Sequence, residues 1–206
     1  MNKVIHAAVR RDLARLEAAL GAVDDGDLRR ASDLNRAWSQ LHDQLRHHHH
    51  QEDTIIFPTT IGLGIDQALV DTLESEHQAM AQALDDIDAA MRTYAGSGTL
   101  ADAAVALEAM RRGHGVVDQH LTHEEGEFEP LVRQHLESDA WKAAMRQIRK
   151  QPPKRAGWFF AWLSDGLSDE AQKYLDSEVP TPVQFVFGRG FGRGYHKTIA
   201  PIWQRA

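Results

Sequence analysis

The chain has 206 residues, of which 42% are hydrophobic and 26% charged, a composition typical of a globular protein with a sizeable core. It contains no cysteine, which excludes disulfides, thiolate zinc sites and iron–sulfur clusters and fits a reducing compartment. The net charge of −7 argues against general binding to nucleic acid, and the lack of a long apolar run or secretory leader predicts a cytoplasmic protein without membrane attachment.

Four long helices are predicted in the first 135 residues. The first spans residues 2–20 and ends at Gly21. The second follows a predicted N-cap at Asp27 and runs to about residue 57, where Pro58 is expected to break it before a loop at 59–65. The third runs from about 66 to the AGSG segment at 95–98. The fourth follows a cap at Thr99 and runs to about 128, before Pro130, and a shorter helix is predicted within 138–150.

Apolar residues in these helices recur at steps of three and four, the spacing of a helix that buries one face. The rows of the first and third helices are offset by 71 residues: His6, Val9, Leu13, Leu16, Leu20 and His77, Met80, Leu84, Ile87, Met91. The rows of the second and fourth are offset by 72: Leu34, Trp38, Leu41, Leu45, His48, Glu52, Ile55 and Ala106, Met110, Gly113, Val117, His120, Glu124, Glu127. The register predicts a duplicated helix pair, folded into an all-α up-down-up-down four-helix bundle over residues 1–136, with 137–206 as an extension.

Six histidine and glutamate side chains fall on these rows and are predicted to lie inside the bundle: His6, His48, Glu52, His77, His120 and Glu124. A single histidine on an apolar row is usually a hydrogen-bonded core residue. Glutamate, however, is almost never buried without a partner, and the rows hold no lysine or arginine. Because a pair of metal ions would offset the carboxylates and accept neutral imidazoles as ligands, the set predicts a metal site.

The remaining histidines are predicted to have lesser roles. In the run 47–50 only His48 lies on the row; His49 and His50 are expected to face solvent, and His49 could approach a metal only if the helix were rotated. His114 and His123 lie beside the fourth row as candidates to support the ligands. Glu127 is a candidate for an extra ligand or proton-transfer group, with a solvated glutamate as the alternative.

The two His-x-x-x-Glu pairs, each followed by a proline, together with His6 and His77, resemble the pattern of the hemerythrin-like family, also called the HHE cation-binding domain. The resemblance covers roughly residues 1–136. It implies two non-haem irons inside a four-helix bundle, bridged by Glu52 and Glu124 and by an oxo or hydroxo group. It also implies that His6 and His48 bind one iron, and His77 and His120 the other.

The sequence departs from this pattern at Ala81, where oxygen-carrying hemerythrins have a second histidine one turn after the ligand of the third helix. The resemblance therefore implies a second iron with one ligand fewer, open to water, peroxide or nitric oxide. It favours the binding of dioxygen or a related small ligand, with peroxidase-like or catalase-like redox activity as one form of the function. Two alternatives stay open: an iron- or oxygen-sensing regulatory module without turnover, and a structural bundle that holds zinc or manganese.

The end of the chain lies outside the resemblance. Residues 152–206 hold 10 of the 15 aromatic residues, which predicts a segment packed on the bundle. The stretch GRGFGRGY at 188–195 is superficially similar to RNA-binding tracts, but a loop that uses the conformational freedom of glycine is the better interpretation. The sequence does not identify a protein partner.

Overall fold

A computed structural model describes residues 2–150, 152–179 and 181–204, which contain helices and no strand. The helices up to residue 132 are α1 (Asn2–Leu20), α2 (Leu28–Gln51), α3 (Phe57–Gly62), α4 (Gln67–Ser97), α5 (Leu100–His123) and α6 (Glu129–Val132). The four long ones close into a ring, because α1 packs on α2, α2 on α4, α4 on α5, and α5 on α1. The predicted all-α four-helix bundle is confirmed. Within the described ranges no helix is both long and apolar enough to cross a membrane.

The long helices begin and end where their capping residues predict. The Asp27 side chain accepts a hydrogen bond from the backbone N–H of Arg30 at 2.9 Å and starts α2. The Thr99 hydroxyl accepts one from the backbone N–H of Asp102 at 3.2 Å and starts α5. Gly98, with φ of +66°, ends α4 in the left-handed conformation that glycine adopts without strain.

The predicted interior rows of α2 and α5 are buried as far as Glu52 and Glu124 and then shift by one residue. Glu52–Ile56 and Glu124–Phe128 each form a turn of π-helix, which accommodates one residue more than an α-helical turn. Ile56 and Phe128 are therefore buried in place of Ile55 and Glu127. The two wide turns lie 72 residues apart, so the duplication extends to this irregularity.

Pro58 and Pro130 do not end their helices, contrary to the prediction. Each proline follows a π turn that is closed by a hydrogen bond to the carbonyl of its glutamate. The backbone N–H of Phe57 donates to Glu52, and that of Glu129 donates to Glu124. The proline then occupies the first turn of α3 or α6, where a missing N–H costs little. Residues 59–62, predicted as loop, are consequently helical.

The rest of the chain contains α7 (Asp139–Ile148), α8 (Pro153–Ser164), α9 (Asp169–Glu178), α10 (Thr181–Phe185) and α11 (Arg193–Thr198). Trp162 of α8 and Tyr195 of α11 are fully buried in the same apolar core as the bundle helices. The Trp162 indole N–H donates to the buried carboxylate of Asp12 on α1 at 2.8 Å. The division of the chain after residue 136 stays a prediction, since residues on both sides share one core.

The GRGFGRGY stretch is helical, which corrects the predicted loop: residues 186–191 form a π-helix and α11 begins at Arg193. Two of its four glycines, Gly192 and Gly194, serve close packing. A Cβ on Gly192 would lie 2.0 Å from the carbonyl oxygen of Gly188 and 2.6 Å from the Cβ of Ala161 on α8. Two helices meet here at a distance that leaves no room for a side chain.

Candidate metal centre

Seven potential metal ligands meet inside the bundle in two groups. The first group consists of His6, His48, Glu52 and Glu124, and the second of His49, His77 and His120. All seven residues are buried, with at most 8% of any of them exposed. They lie between the main apolar core and a smaller one around Phe57 and Phe128. The structure thus brings together all six residues predicted from the sequence and adds His49.

The first group joins α1, the end of α2 and the end of α5. The Nε2 atoms of His6 and His48 are 3.4 Å apart. Glu52 Oε1 lies 3.1 Å from His48 Nε2, four residues earlier on the same face, and Glu124 Oε2 lies 3.2 Å from His6 Nε2. Two imidazoles and two carboxylates therefore present their polar atoms to one small volume.

The second group contains His49, which the sequence analysis wrongly placed in solvent. His49 is 8% exposed, and its ring stacks on that of His77 with centroids 4.2 Å apart. The Nε2 atoms of His77 and His120 are 3.1 Å apart. Ala81, predicted to leave a gap beside the second ion, is exposed, and the third imidazole of this group comes from α2 instead.

Glu52 is the carboxylate that faces both groups. Its Oε1 contacts His48 in the first, while its Oε2 lies 3.7 Å from His77 Nε2 in the second. The other carboxylate, Glu124, directs Oε2 toward His6 and accepts a hydrogen bond from the Asn2 amide at Oε1, at 3.1 Å. Glu52 therefore lies near a histidine of each group, whereas Glu124 contacts the first group; bridging of two ions stays a prediction for both glutamates.

Carboxylates orient three of the histidines by contacting the Nδ1 atom of each imidazole. The Nδ1 atoms of His6, His77 and His120 lie 2.8 Å from Glu125, 2.7 Å from Asp53 and 2.9 Å from Glu76, respectively. A carboxylate on one imidazole nitrogen holds the other nitrogen ready as a ligand and increases its basicity. Asp53 and Glu125 each follow a row glutamate, and their 72-residue offset was the sequence signal that could have identified them.

The other polar residues around the site have different roles. The Nδ1–H of His123 donates to Glu76 at 2.8 Å, so it supports the carboxylate that holds His120. Glu127 has a side chain 68% exposed and is solvated, the alternative considered for it. His114 pairs with Glu17 away from both groups, and His50 is exposed as predicted.

The pKa shifts describe how the metal-free interior balances its charge. Burial lowers the pKa of His6, but hydrogen bonds to Glu124 and Glu125 outweigh this effect and raise it to about 9. Burial also raises the pKa of Glu124, but the hydrogen bond from His6 outweighs it and holds the pKa at about 2. Burial, helped by the charge of Glu124, raises the pKa of Glu52 well above its usual range. Protons on His6 and Glu52 thus take the place of a bound cation.

Two of the other imidazoles, His48 and His49, are in the form that binds metal. Burial lowers the pKa of His48 to about 3, and burial together with the neighbouring His77 lowers the pKa of His49 well below its usual range. Both rings are therefore neutral at pH 7 and keep a lone pair for a metal.

Unpartnered polar atoms show that the residues fit a bound cation. Glu52 Oε2 and His49 Nε2 are buried without a hydrogen-bond partner among the described residues. A buried polar atom without a partner costs about 1–3 kcal/mol, more when it is charged. Metal ligation would satisfy both, and imidazole with carboxylate is a donor set that iron, zinc and manganese accept.

Comparison with known proteins identifies the family. The family model described as the hemerythrin HHE cation-binding domain matches residues 3–132. No curated protein and no solved structure matches the chain. The matched span includes all seven buried histidines and glutamates of the two groups and ends at the last residue of α6. The chain belongs to the hemerythrin HHE cation-binding domain family.

Proposed function

We propose that the protein is a non-haem diiron protein that binds dioxygen or a related small ligand, such as peroxide or nitric oxide. The observation that carries the proposal is the pair of buried ligand groups, five imidazoles and two carboxylates, with Glu52 Oε2 and His49 Nε2 left without partners among the described residues. A metal in each group would satisfy these atoms. When bound, such a pair supplies redox chemistry and coordination positions for a small ligand.

The residues divide into holding and orienting roles. His6, His48 and Glu124 would hold one ion and His49, His77 and His120 the other, while Glu52 faces both. Following the family resemblance, Glu124 would bridge as well. The carboxylates of Asp53, Glu76 and Glu125 keep three of the imidazoles in place.

The two ions would lie in unequal surroundings. The first group offers two imidazoles and both carboxylates, whereas the second offers three imidazoles and only one oxygen of Glu52. Neutral ligands neutralise less charge than carboxylates do, so the ion of the second group would stay the more positive of the two. An anionic ligand would therefore be favoured on the side of His49, His77 and His120.

The test is elemental analysis and an optical spectrum of protein purified without added metal. The proposal expects two irons per chain and the absorption bands of a bridged ferric pair. A colourless protein that contains zinc or manganese would refute it and would support the structural alternative. Stopped-flow mixing of the iron protein with peroxide and with oxygen then distinguishes turnover from a sensor that binds its ligand without consuming it.

A further inference from the structure

A wide groove runs along the outer face of α2, on the side away from the metal centre. Its volume is about 1120 Å³, and its walls are formed by α2, by α8 and by the end of α11. Small-molecule sites typically measure about 300–1,000 Å³, so the groove has room for a ligand as large as a nucleotide. The family's metal site makes no use of this surface.

The groove is cationic although the chain as a whole carries a net charge of −7. Arg36, Arg46, Lys154 and Arg155 line it, and Asp43 is the carboxylate among its described lining residues. Arg36 pairs with Asp33 at 3.2 Å. The other three cations have no carboxylate within 4 Å in the described part of the chain, so their charges are available to a ligand.

These three cations gather at one end of the groove. Lys154 and Arg155 are adjacent at the start of α8, and Arg46 lies near the end of α2, ten residues beyond Arg36. Lys154 and Arg155 line the same groove as Arg46 and the next residue, His47, so the α8 cations lie across the groove from this part of α2. Like charges held together without a counter-charge repel one another, and a bound anion would remove that repulsion.

A buried amide forms part of the groove wall. Gln40 lines the groove and is 8% exposed, and its Oε1 accepts a hydrogen bond from the Trp158 indole. This bond joins α8 to α2 and fixes the orientation of both side chains in the wall.

We propose that this groove binds a phosphorylated small molecule, with its phosphates held by Arg46, Lys154 and Arg155. Two or more phosphates match three unpaired cations better than a single carboxylate does, and guanidinium groups bind phosphate through paired hydrogen bonds. The half-buried Trp158 ring lines the groove beside them and gives a less polar body a surface to lie on. The proposal is independent of which metal the bundle holds.

The test is titration of the full chain with pyrophosphate, ATP and adenosine. Calorimetry and tryptophan fluorescence measure the binding of each compound. Wild type should bind pyrophosphate and ATP saturably at one site, and adenosine much more weakly. Lys154→Ala/Arg155→Ala should weaken binding at least about tenfold, because a hydrogen bond to a charged group is worth about 1.5–3 kcal/mol. Both residues are exposed, so the fold should be retained.

The matched control is Arg111→Ala/Arg112→Ala, which removes two adjacent exposed cations from α5, outside the groove. Its affinity should stay within about twofold of wild type, since exposed charges contribute little at a distance. Equal loss in both variants would overturn the proposal, because it would indicate only non-specific attraction or removal of metal by the phosphates. Absence of saturable binding in wild type would overturn it too. Equal affinity for pyrophosphate and ATP would identify the phosphate chain as the recognised part, and tighter ATP binding a nucleotide.

Discussion

Replacing His49 by leucine separates metal binding from packing at the residue that the sequence analysis misplaced. Its counterpart in the second repeat, 72 residues later, is Leu121, which is fully buried, so leucine is a side chain that this environment already accepts. The substitution reduces the second group from three imidazoles to two. We expect affinity for the second ion to fall by at least about 10–100-fold, the loss typical when merely a hydrogen-bonding partner of a ligand is removed.

The same substitution should stabilise the metal-free protein. His49 is buried and neutral there, and its Nε2 has no hydrogen-bond partner among the described residues. Removing such a group should raise the free energy of unfolding by about 1–3 kcal/mol. For a chain of this length, that corresponds to a Tm increase of roughly 2–12 °C.

Competition with a chelator and calorimetry of metal-free protein measure the two effects. His50→Leu is the control, because His50 is the exposed neighbour on the same helix and should change neither quantity. The reasoning would be refuted if His49→Leu held two ions as tightly as wild type. A lower Tm with unchanged metal affinity would mean that His49 serves packing alone.

Three further predictions concern the carboxylates and the anchoring of the tail. Glu52→Ala should remove both ions, because Glu52 faces both groups, and Glu124→Ala should do so if Glu124 bridges. Elemental analysis measures the metal content, with the exposed Glu127→Ala as the control. One ion retained in Glu124→Ala would limit that residue to the first group. Metal binding at pH 7 should release protons from His6 and Glu52, whose pKa values are raised, so the affinity for metal should rise from pH 7 to 9. Calorimetry in buffers of different ionisation enthalpy counts the released protons. A metal affinity that does not change with pH would contradict the placement of these protons on His6 and Glu52. Asp12→Ala should destabilise the protein by about 3–5 kcal/mol, because this buried carboxylate binds two arginines and Trp162 of the extension at 137–206. Thermal unfolding measures the loss. A change below about 1 kcal/mol would show that the extension is held by apolar contacts alone.

In metal-free protein the raised pKa of His6 also has a consequence for stability. A group whose pKa is raised on folding contributes stability below its unfolded pKa of about 6.5 and loses it as the pH rises through the folded value, here about 9. The Tm of metal-free wild type should therefore fall between pH 6.5 and 9. The His6→Gln variant should show a smaller fall, and an equal fall in both proteins would assign the pH dependence to other groups.

The four long helices and six of the seven interior residues could be predicted because both follow from a periodic signal. A helix that buries one face repeats its apolar positions every three or four residues, and the duplication provided the same row twice, with His6 and His77 or Glu52 and Glu124 at matching places. Capping residues such as Asp27 and Thr99 likewise act through local hydrogen bonds, which sequence spacing predicts directly.

The errors concern positions where a neighbouring helix decides the outcome. His49 is one residue off the row, yet its ring is buried because it stacks on His77 of α4. The π turns after Glu52 and Glu124 move the buried face by one residue, which turned the expected Ile55 outward and Ile56 inward. Periodicity assumes a constant number of residues per turn, and it fails where that number changes.

By itself, the sequence determined the bundle, the duplication and the presence of buried histidine and glutamate, since each depends on spacing along one helix. Only the tertiary structure decided how these residues divide into two groups, which carboxylates stand behind the imidazoles, and that His49 joins them. It also placed Lys154 and Arg155 opposite Arg46, more than a hundred residues away in the chain. Such contacts join different helices, and their distances are set by how whole helices pack, which no local spacing encodes.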